Sequence, residues 1–201
     1  MDKKTEKSIK NYNKIASNYD QTFDGRFTRS FKIELAKVMH IERGYRVLDV
    51  ACGNGALLKL LSEKANIDAY GVDISENMIK EAKTKYPKMK FSVTNSAKLP
   101  FEDGIFDIIS VCAAFHHFTE PATFILEAKR VLRQGGSIFI ADPYLPPVIR
   151  HCTNLILPWL NMGDVKIYSE SELQGFFRKA GFVNISAKRI GKFGCMIMGV
   201  K

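Results

Sequence analysis

The stretch Tyr45–Ala56, YRVLDVACGNGA, restricts the possible folds more than any other part of this chain. Val47, Leu48 and Val50 surround an acid, Asp49, and lead into the small residues Ala51, Gly53 and Gly55. An apolar helical pattern, Ala56 to Leu61, follows at once. That order is strand, tight glycine turn, helix N-terminus. Glycine lets backbone N–H groups approach a ligand without a Cβ between them. The start of a helix adds N–H donors that have no partner within the helix. A second strand, Ile67–Asp73, ends in another acid eighteen residues beyond Gly55. A carboxylate there is placed to accept two hydrogen bonds from a ribose diol. The two features together point to a nucleoside-containing cofactor lying across the ends of parallel strands.

The remaining chain repeats the strand–helix alternation. The pattern predicts a helix over Ser75–Lys85 capped by Ser75, with Met78, Ile79 and Ala82 buried. Lys88–Val93 reads as a third strand and Phe106–Cys112, nearly all apolar, as a central fourth. A helix follows over Pro121–Leu132, with Gln134-Gly135-Gly136 as its stop and Ser137–Ala141 as a fifth strand. Ser169–Ala180 reads as a helix capped by Ser169 or Ser171. Val183–Ile190 and Phe193–Val200 read as a terminal hairpin through Gly191. This order implies an α/β fold: a Rossmann-like, doubly wound, mostly parallel seven-stranded sheet with a C-terminal antiparallel hairpin and helices on both faces. Right-handed crossovers then bring the parallel strand ends to one edge.

About forty helical residues precede the first strand. One amphipathic helix is expected over Lys4–Phe23, breaking near Asn18–Asp20, and a second over Thr28–Met39. These residues, 1–40, form an N-terminal cap that packs on the sheet or covers its ligand. Tyr12 and Tyr19 either reach that ligand or serve as packing residues. Residues 145–168 interrupt the alternation with three prolines and the apolar residues Val148, Ile149, Leu155, Ile156, Leu157, Trp159, Leu160 and Met162. Their position past a strand end suits a second cap, and ordinary packing against the sheet is the alternative. With no repeat or linker in view, the 201 residues are expected to form one domain.

Charge and cysteine usage narrow the function classes. The net charge is +9, but residues 47–144 hold 11 Lys/Arg against 12 Asp/Glu. The positive excess therefore lies in the flanks, where it suits an anionic partner or a plain solvated surface. No basic run with interleaved aromatics appears, so nucleic acid is not the expected partner. The cysteines Cys52, Cys112, Cys152 and Cys195 are far apart and form no CxxC pair. Reduced thiols in a cytoplasmic protein are expected, with no metal. No apolar run is long enough for a membrane span, and the basic start lacks a signal-peptide core. NAD binding is disfavoured because Gly53-x-Gly55 lacks a third glycine, and no P-loop Lys–Ser pair is present.

Taken in sequence, these pieces resemble the class I S-adenosylmethionine-dependent methyltransferases, specifically the small-molecule group related to the quinone-biosynthesis C-methyltransferases. The resemblance runs from about Tyr12 to the C-terminus. It rests on Asp49–Gly55, on Asp73, on Thr94–Phe101 ending in Leu-Pro-Phe, on Phe106-Asp107, on His116-His117 and on Leu132–Gly136. Ala51 stands at the first glycine of the motif, Gln134 replaces a proline, and Asn95 replaces an aspartate. The resemblance implies that S-adenosylmethionine is the cofactor and S-adenosylhomocysteine the product. It places the cofactor on Asp49, Ala51, Cys52, Gly53, Gly55, Asp73, Ile74, Asn95 and Ser96, with Tyr19 from the N-terminal cap. The Asn95 carbonyl oxygen can still accept from an adenine amino group, more weakly than a carboxylate would.

The implied activity is methyl transfer to a small, partly hydrophobic acceptor by in-line attack on the sulfonium methyl. Aligning the two reactants and excluding water is then the protein's main task. His116 and His117 are the candidate bases, with Tyr144 beside them, because histidine alone titrates near neutrality unperturbed; a structural role in the turn is the alternative. An RNA or protein methyltransferase using the basic flanks, or a cofactor-binding protein without turnover, fits the same residues.

Overall fold

The computed structural model describes residues 2–159 and 163–201. Its strands are β1 Arg46–Val50, β2 Asp68–Asp73, β3 Lys90–Val93, β4 Phe106–Cys112, β5 Leu132–Pro143, β6 Val183–Ile190 and β7 Gly194–Val200. They form one sheet in the order β3-β2-β1-β4-β5-β7-β6. The first five strands are parallel, and β7 pairs antiparallel with both β5 and β6. The helices are α1 Lys3–Ile15, α2 Phe23–Val38, α3 Ala56–Ser62, α4 Glu76–Lys85, α5 Pro121–Val131, α6 Pro147–Ile156 and α7 Glu170–Lys179. The expected doubly wound α/β architecture with its C-terminal hairpin is therefore present.

Alternation along the strands divides the core between the two faces of the sheet. Leu48, Val50, Ile109, Val111, Ile138 and Ile140 pack with α5 and α7 through Phe124, Ala128, Leu173 and Phe177. Val47, Ile108 and Phe139 pack with α2, α3 and α4 through Phe31, Leu35, Leu57, Leu58 and Ile79. Capping follows the sequence closely. Ser75 accepts from the Met78 N–H at the start of α4, and Ser169 with Glu172 forms a capping box on α7.

Two expectations need correction. The second helix begins at Phe23 and not at Thr28, after a 3₁₀ turn over Ala16–Gln21. Thr22 caps it by accepting from the Gly25 N–H at 3.0 Å. A Cβ on Gly25 would lie 2.0 Å from the Tyr19 carbonyl oxygen, so glycine alone lets the turn and the helix approach this closely. Next, Gln134-Gly135-Gly136 lies inside β5 and does not separate it from α5. Leu132 pairs with Phe106 and Ser137 with Ile108, so the glycines form an irregularity that absorbs the extra residues. The segment 145–168 carries α6 and returns to the sheet edge, where Asp164 lines a pocket. Helix α6 buries none of its residues, and Val148, Ile149, Leu155, Ile156 and Trp159 are all exposed. Leu157 is buried, whereas Leu160 and Met162 lie outside the described residues.

Candidate functional site

Strand order reverses between β1 and β4, and ligands of open α/β sheets bind beyond the strand ends at such a point. A cleft of about 900 Å³ lies there. Its floor is Val50, Ala51 and Gly53 after β1, Asp73 and Ile74 after β2, Thr94–Ala97 after β3, and Cys112–Ala114 after β4. Its roof is Thr5, Ser8 and Tyr12 of α1 together with Tyr19. No residue of α6 lines this cleft.

Asp73 is the anchor of the floor. Its carboxylate accepts from the Gly53 N–H at 2.8 Å and from the Ser75 N–H at 2.9 Å. Each oxygen keeps a second lone pair for a ligand. Burial raises the Asp73 pKa, against the lowering effect of those backbone bonds. Gly53 has φ +53, and a Cβ built on it would meet nothing within 4 Å. Empty space beside a glycine at the cleft floor is what a ligand seated against the backbone requires. Ala51 adopts φ +56 where the sequence pattern expects glycine, a conformation that costs a residue with a Cβ about 1 kcal/mol.

Three of the residues expected at the cofactor do not line the cleft. Asp49 is buried beneath the turn, where it accepts from the Ser110 hydroxyl at 2.7 Å. Burial pushes its pKa up to about 7, against the Ser110 bond and Lys32. Cys52 points into the core; its N–H donates to Val72 and its carbonyl accepts from Gly55. Gly55 caps α3 at φ +80, and a Cβ there would meet Phe91 Cζ at 2.9 Å. Gly55 therefore serves packing. Ile74, Asn95, Ser96 and Tyr19 do line the cleft. The Asn95 side-chain oxygen accepts from the Ala97 N–H at 2.9 Å and keeps a second lone pair, and its amide nitrogen keeps its N–H donors. Tyr19 is held by Thr28 at 3.3 Å.

A second chamber, of about 610 Å³, adjoins the first. Tyr12, Ala113 and His117 line both, so they form the shared wall. Phe23, Phe27 and Pro143 give the chamber apolar surface, and Asp24, His116 and Asp164 give it ionisable groups. The wall is set by a 3.0 Å contact between the Tyr12 hydroxyl and His117 Nε2. The rings meet edge to face, 5.6 Å between centroids.

The two histidines have different electrostatics. His116 Nδ1 lies 2.9 Å from Asp142 Oδ1, and its Nε2 lies 3.6 Å from Asp164 Oδ1. Burial opposes a charge on His116, but the two carboxylates outweigh it and raise its pKa. His117 Nδ1 lies 3.1 Å from Asp164 Oδ1 without hydrogen-bond alignment, so it is a buried nitrogen with no partner among the described residues. Burial and then the neighbouring His116 hold the His117 pKa well below the usual histidine range, against a backbone contact to Gly163. Burial also raises Asp164, against His116. Tyr144 lines neither chamber; its ring lies under the Arg189 guanidinium, 3.0 Å from centroid to Cζ. The expected place beside the histidines at the strand ends is not observed: Tyr144 follows β5, and its N–H donates to the Phe193 carbonyl of the terminal hairpin at 2.8 Å.

Sequence reasoning left Asp20, Asn54, Asp142 and Asp164 without a role. Asn54 Nδ2 donates to Asp20 at 2.8 Å and so ties the N-terminal segment to the glycine turn. The Asn54 position inside the glycine motif was the available signal for it. No local pattern marks Asp164, which meets the histidines only through the fold.

Known proteins resemble this chain in sequence and in fold. Residues 48–140 match the family described as "Methyltransferase domain". A demethylmenaquinone methyltransferase of Anoxybacillus flavithermus is 28% identical, over 92% of this chain and 91% of that protein. The methyltransferase in the Haloferax volcanii complex with the Trm112 activator superposes with a TM-score of 0.80 at 21% identity, covering 94% of this chain and 96% of that one. Phosphoethanolamine N-methyltransferase 2 of Haemonchus contortus, solved with S-adenosyl-L-methionine, superposes with a TM-score of 0.70 at 14% identity. That match covers 94% of this chain and 60% of that one.

Proposed function

We infer, from this chain's being a class I S-adenosylmethionine-dependent methyltransferase that resembles the quinone-biosynthesis C-methyltransferases, that its acceptor is a small, partly hydrophobic molecule held in the second chamber. The observation that carries this reading is the contact of two chambers at one wall, Tyr12–His117, with the Asp73–Gly53 floor on one side and Phe23 and Phe27 on the other.

The residues present suit S-adenosylmethionine. Asp73 offers lone pairs to a ribose diol, and the open backbone at Gly53 suits the amino acid end. Ile74 and the Asn95-Ser96 turn suit the adenine, with the second lone pair of the Asn95 side-chain oxygen accepting from its amino group. When bound, the cofactor supplies a methyl group already activated on a sulfonium. The protein's own work is alignment and exclusion of water. Tyr12 and Tyr19 cover the cleft, and Asn13 holds α1 down by accepting from the Ser75 hydroxyl at 2.7 Å. His117 stays neutral because burial opposes its charge, and with Tyr12 it orients the boundary across which the methyl passes. His116 and Asp164 line the same chamber as the acceptor. We assign no catalytic role to Tyr144. We place the protein in the cytoplasm on its four free cysteines; among the described residues no helix is long and apolar enough to cross a membrane.

Calorimetric titration with S-adenosylmethionine and S-adenosylhomocysteine tests the cofactor half of this reading. Micromolar binding is expected, weakened at least about tenfold in Asp73→Ala, since a hydrogen bond to a charged group contributes about 1.5–3 kcal/mol. Absence of binding by the intact chain would overturn it. Product formation by mass spectrometry across a panel of phenols and quinols, compared with RNA, then tests the acceptor class.

A further inference from the structure

We propose that His116, His117 and Asp164 form a binding site for a divalent first-row transition metal ion in the wall of the second chamber. One potential ligating atom from each residue lies within 4.8 Å of those of the other two. The same oxygen, Asp164 Oδ1, lies 3.6 Å from His116 Nε2 and 3.1 Å from His117 Nδ1. Ligands about 2.0–2.1 Å from a tetrahedral zinc ion stand about 3.3 Å apart. The two separations bracket that spacing.

The outer contacts support the same reading. A metal-binding histidine donates its other ring N–H to a fixed partner, which sets the tautomer and aims the free lone pair. Both histidines have such a partner on the far nitrogen. His116 Nδ1 is held by Asp142, which is 1% exposed, at 2.9 Å. His117 Nε2 is held by the Tyr12 hydroxyl at 3.0 Å. With those protons placed outward, the two remaining nitrogens present lone pairs toward Asp164. A proton shared between His116 and the carboxylates would satisfy one of them and still leave His117 Nδ1 buried 3.1 Å from Asp164 Oδ1 with no aligned side-chain hydrogen bond among the described residues. A cation bound by all three satisfies both nitrogens and the carboxylate together. Imidazole ligands favour a transition metal over magnesium or calcium. Because all three ligands line the chamber, the remaining coordination positions open into it, where water or an acceptor oxygen can bind.

The site goes beyond the methyl-transfer reading and does not depend on it. The protein stripped with a chelator is titrated with Co²⁺ in the visible region and with Zn²⁺ by calorimetry. We expect one ion per chain with a micromolar or tighter Kd, and weak ligand-field bands without the intense charge-transfer absorption of a cobalt–thiolate bond. Asp164→Asn should weaken binding at least about 100-fold. Asp142→Asn, acting through His116, should weaken it about 10- to 100-fold. Both variants should bind S-adenosylmethionine with unchanged affinity, because neither residue lines the cofactor cleft, and that titration also reports that each is folded. The proposal is overturned if the stripped protein takes up neither ion, if the thiolate band appears, or if folded Asp164→Asn binds as tightly as the parent. Loss of cofactor binding with metal binding intact would count against the proposed function alone.

Discussion

Two glycines separated by one residue do different work, and their substitutions should separate binding from stability. Gly53 opens onto the cleft, where an added Cβ would meet no atom within 4 Å, whereas Gly55 would drive a Cβ into Phe91 and Tyr86. Both have positive φ, so an alanine at either costs about 1 kcal/mol in backbone strain. Gly55→Ala adds a packing clash of about 1–3 kcal/mol and should lower the denaturant midpoint clearly more than Gly53→Ala. Gly53→Ala should instead weaken S-adenosylmethionine binding by the larger factor in calorimetry. Equal effects on both measurements would refute the division. The motif Asp49–Gly55 marked the turn in the sequence, but it could not say which of its members face the ligand. That depends on what packs behind each one, and Phe91 and Tyr86 come from elsewhere in the chain.

At the scale of the element, α1 is the least anchored part of the cleft. Its own buried contribution is Ser8. The apolar cluster that fixes the N-terminal segment is small, with Ala16, Tyr19 and Met78 buried and Tyr12 and Ile15 partly so. Polar ties from Asn13 to Ser75 and Asn77, from Asp20 to Asn54 and Lys85, and from Tyr12 to His117 add to the attachment. Segments with little buried apolar surface open well below the global unfolding free energy. Hydrogen exchange should therefore show Lys3–Ile15 exchanging far faster than β1 and β4, with saturating S-adenosylmethionine slowing it. Exchange in α1 that matches the central strands, or does not respond to the cofactor, would contradict a lid role. The helical period of this segment was readable in the sequence. The early start of α2 was not, because it turns on Gly25 fitting against the Tyr19 carbonyl, a contact that no local propensity reports.

For the whole molecule, the buried Asp49 makes stability depend on pH. Its folded pKa, near 7, lies above the ordinary carboxylate value because burial penalises the charge. The folded state thus holds a proton that the unfolded chain releases near pH 4. Stability from this group is complete below about pH 4 and declines as the pH rises to about 7. Asp49→Asn keeps an acceptor for Ser110 and should flatten that decline, making the variant more stable than the parent at pH 8 by about 1 kcal/mol or more. Denaturant unfolding at pH 5 and pH 8 measures it, and a parent whose stability rises across that interval would refute it. The sequence by itself determined the strand–turn–helix rhythm, the hairpin end and the acid at Asp73, since strand and helix periods and glycine turns are written over short stretches of chain. Only the tertiary structure decided which groups meet. Tyr12 touches His117 across 105 residues, and Asp142 and Asp164 close on the histidines from separate segments. Tyr144 is carried away under Arg189. Side-chain direction at a strand end is fixed by the packing of neighbouring elements, and that information is spread over the whole chain.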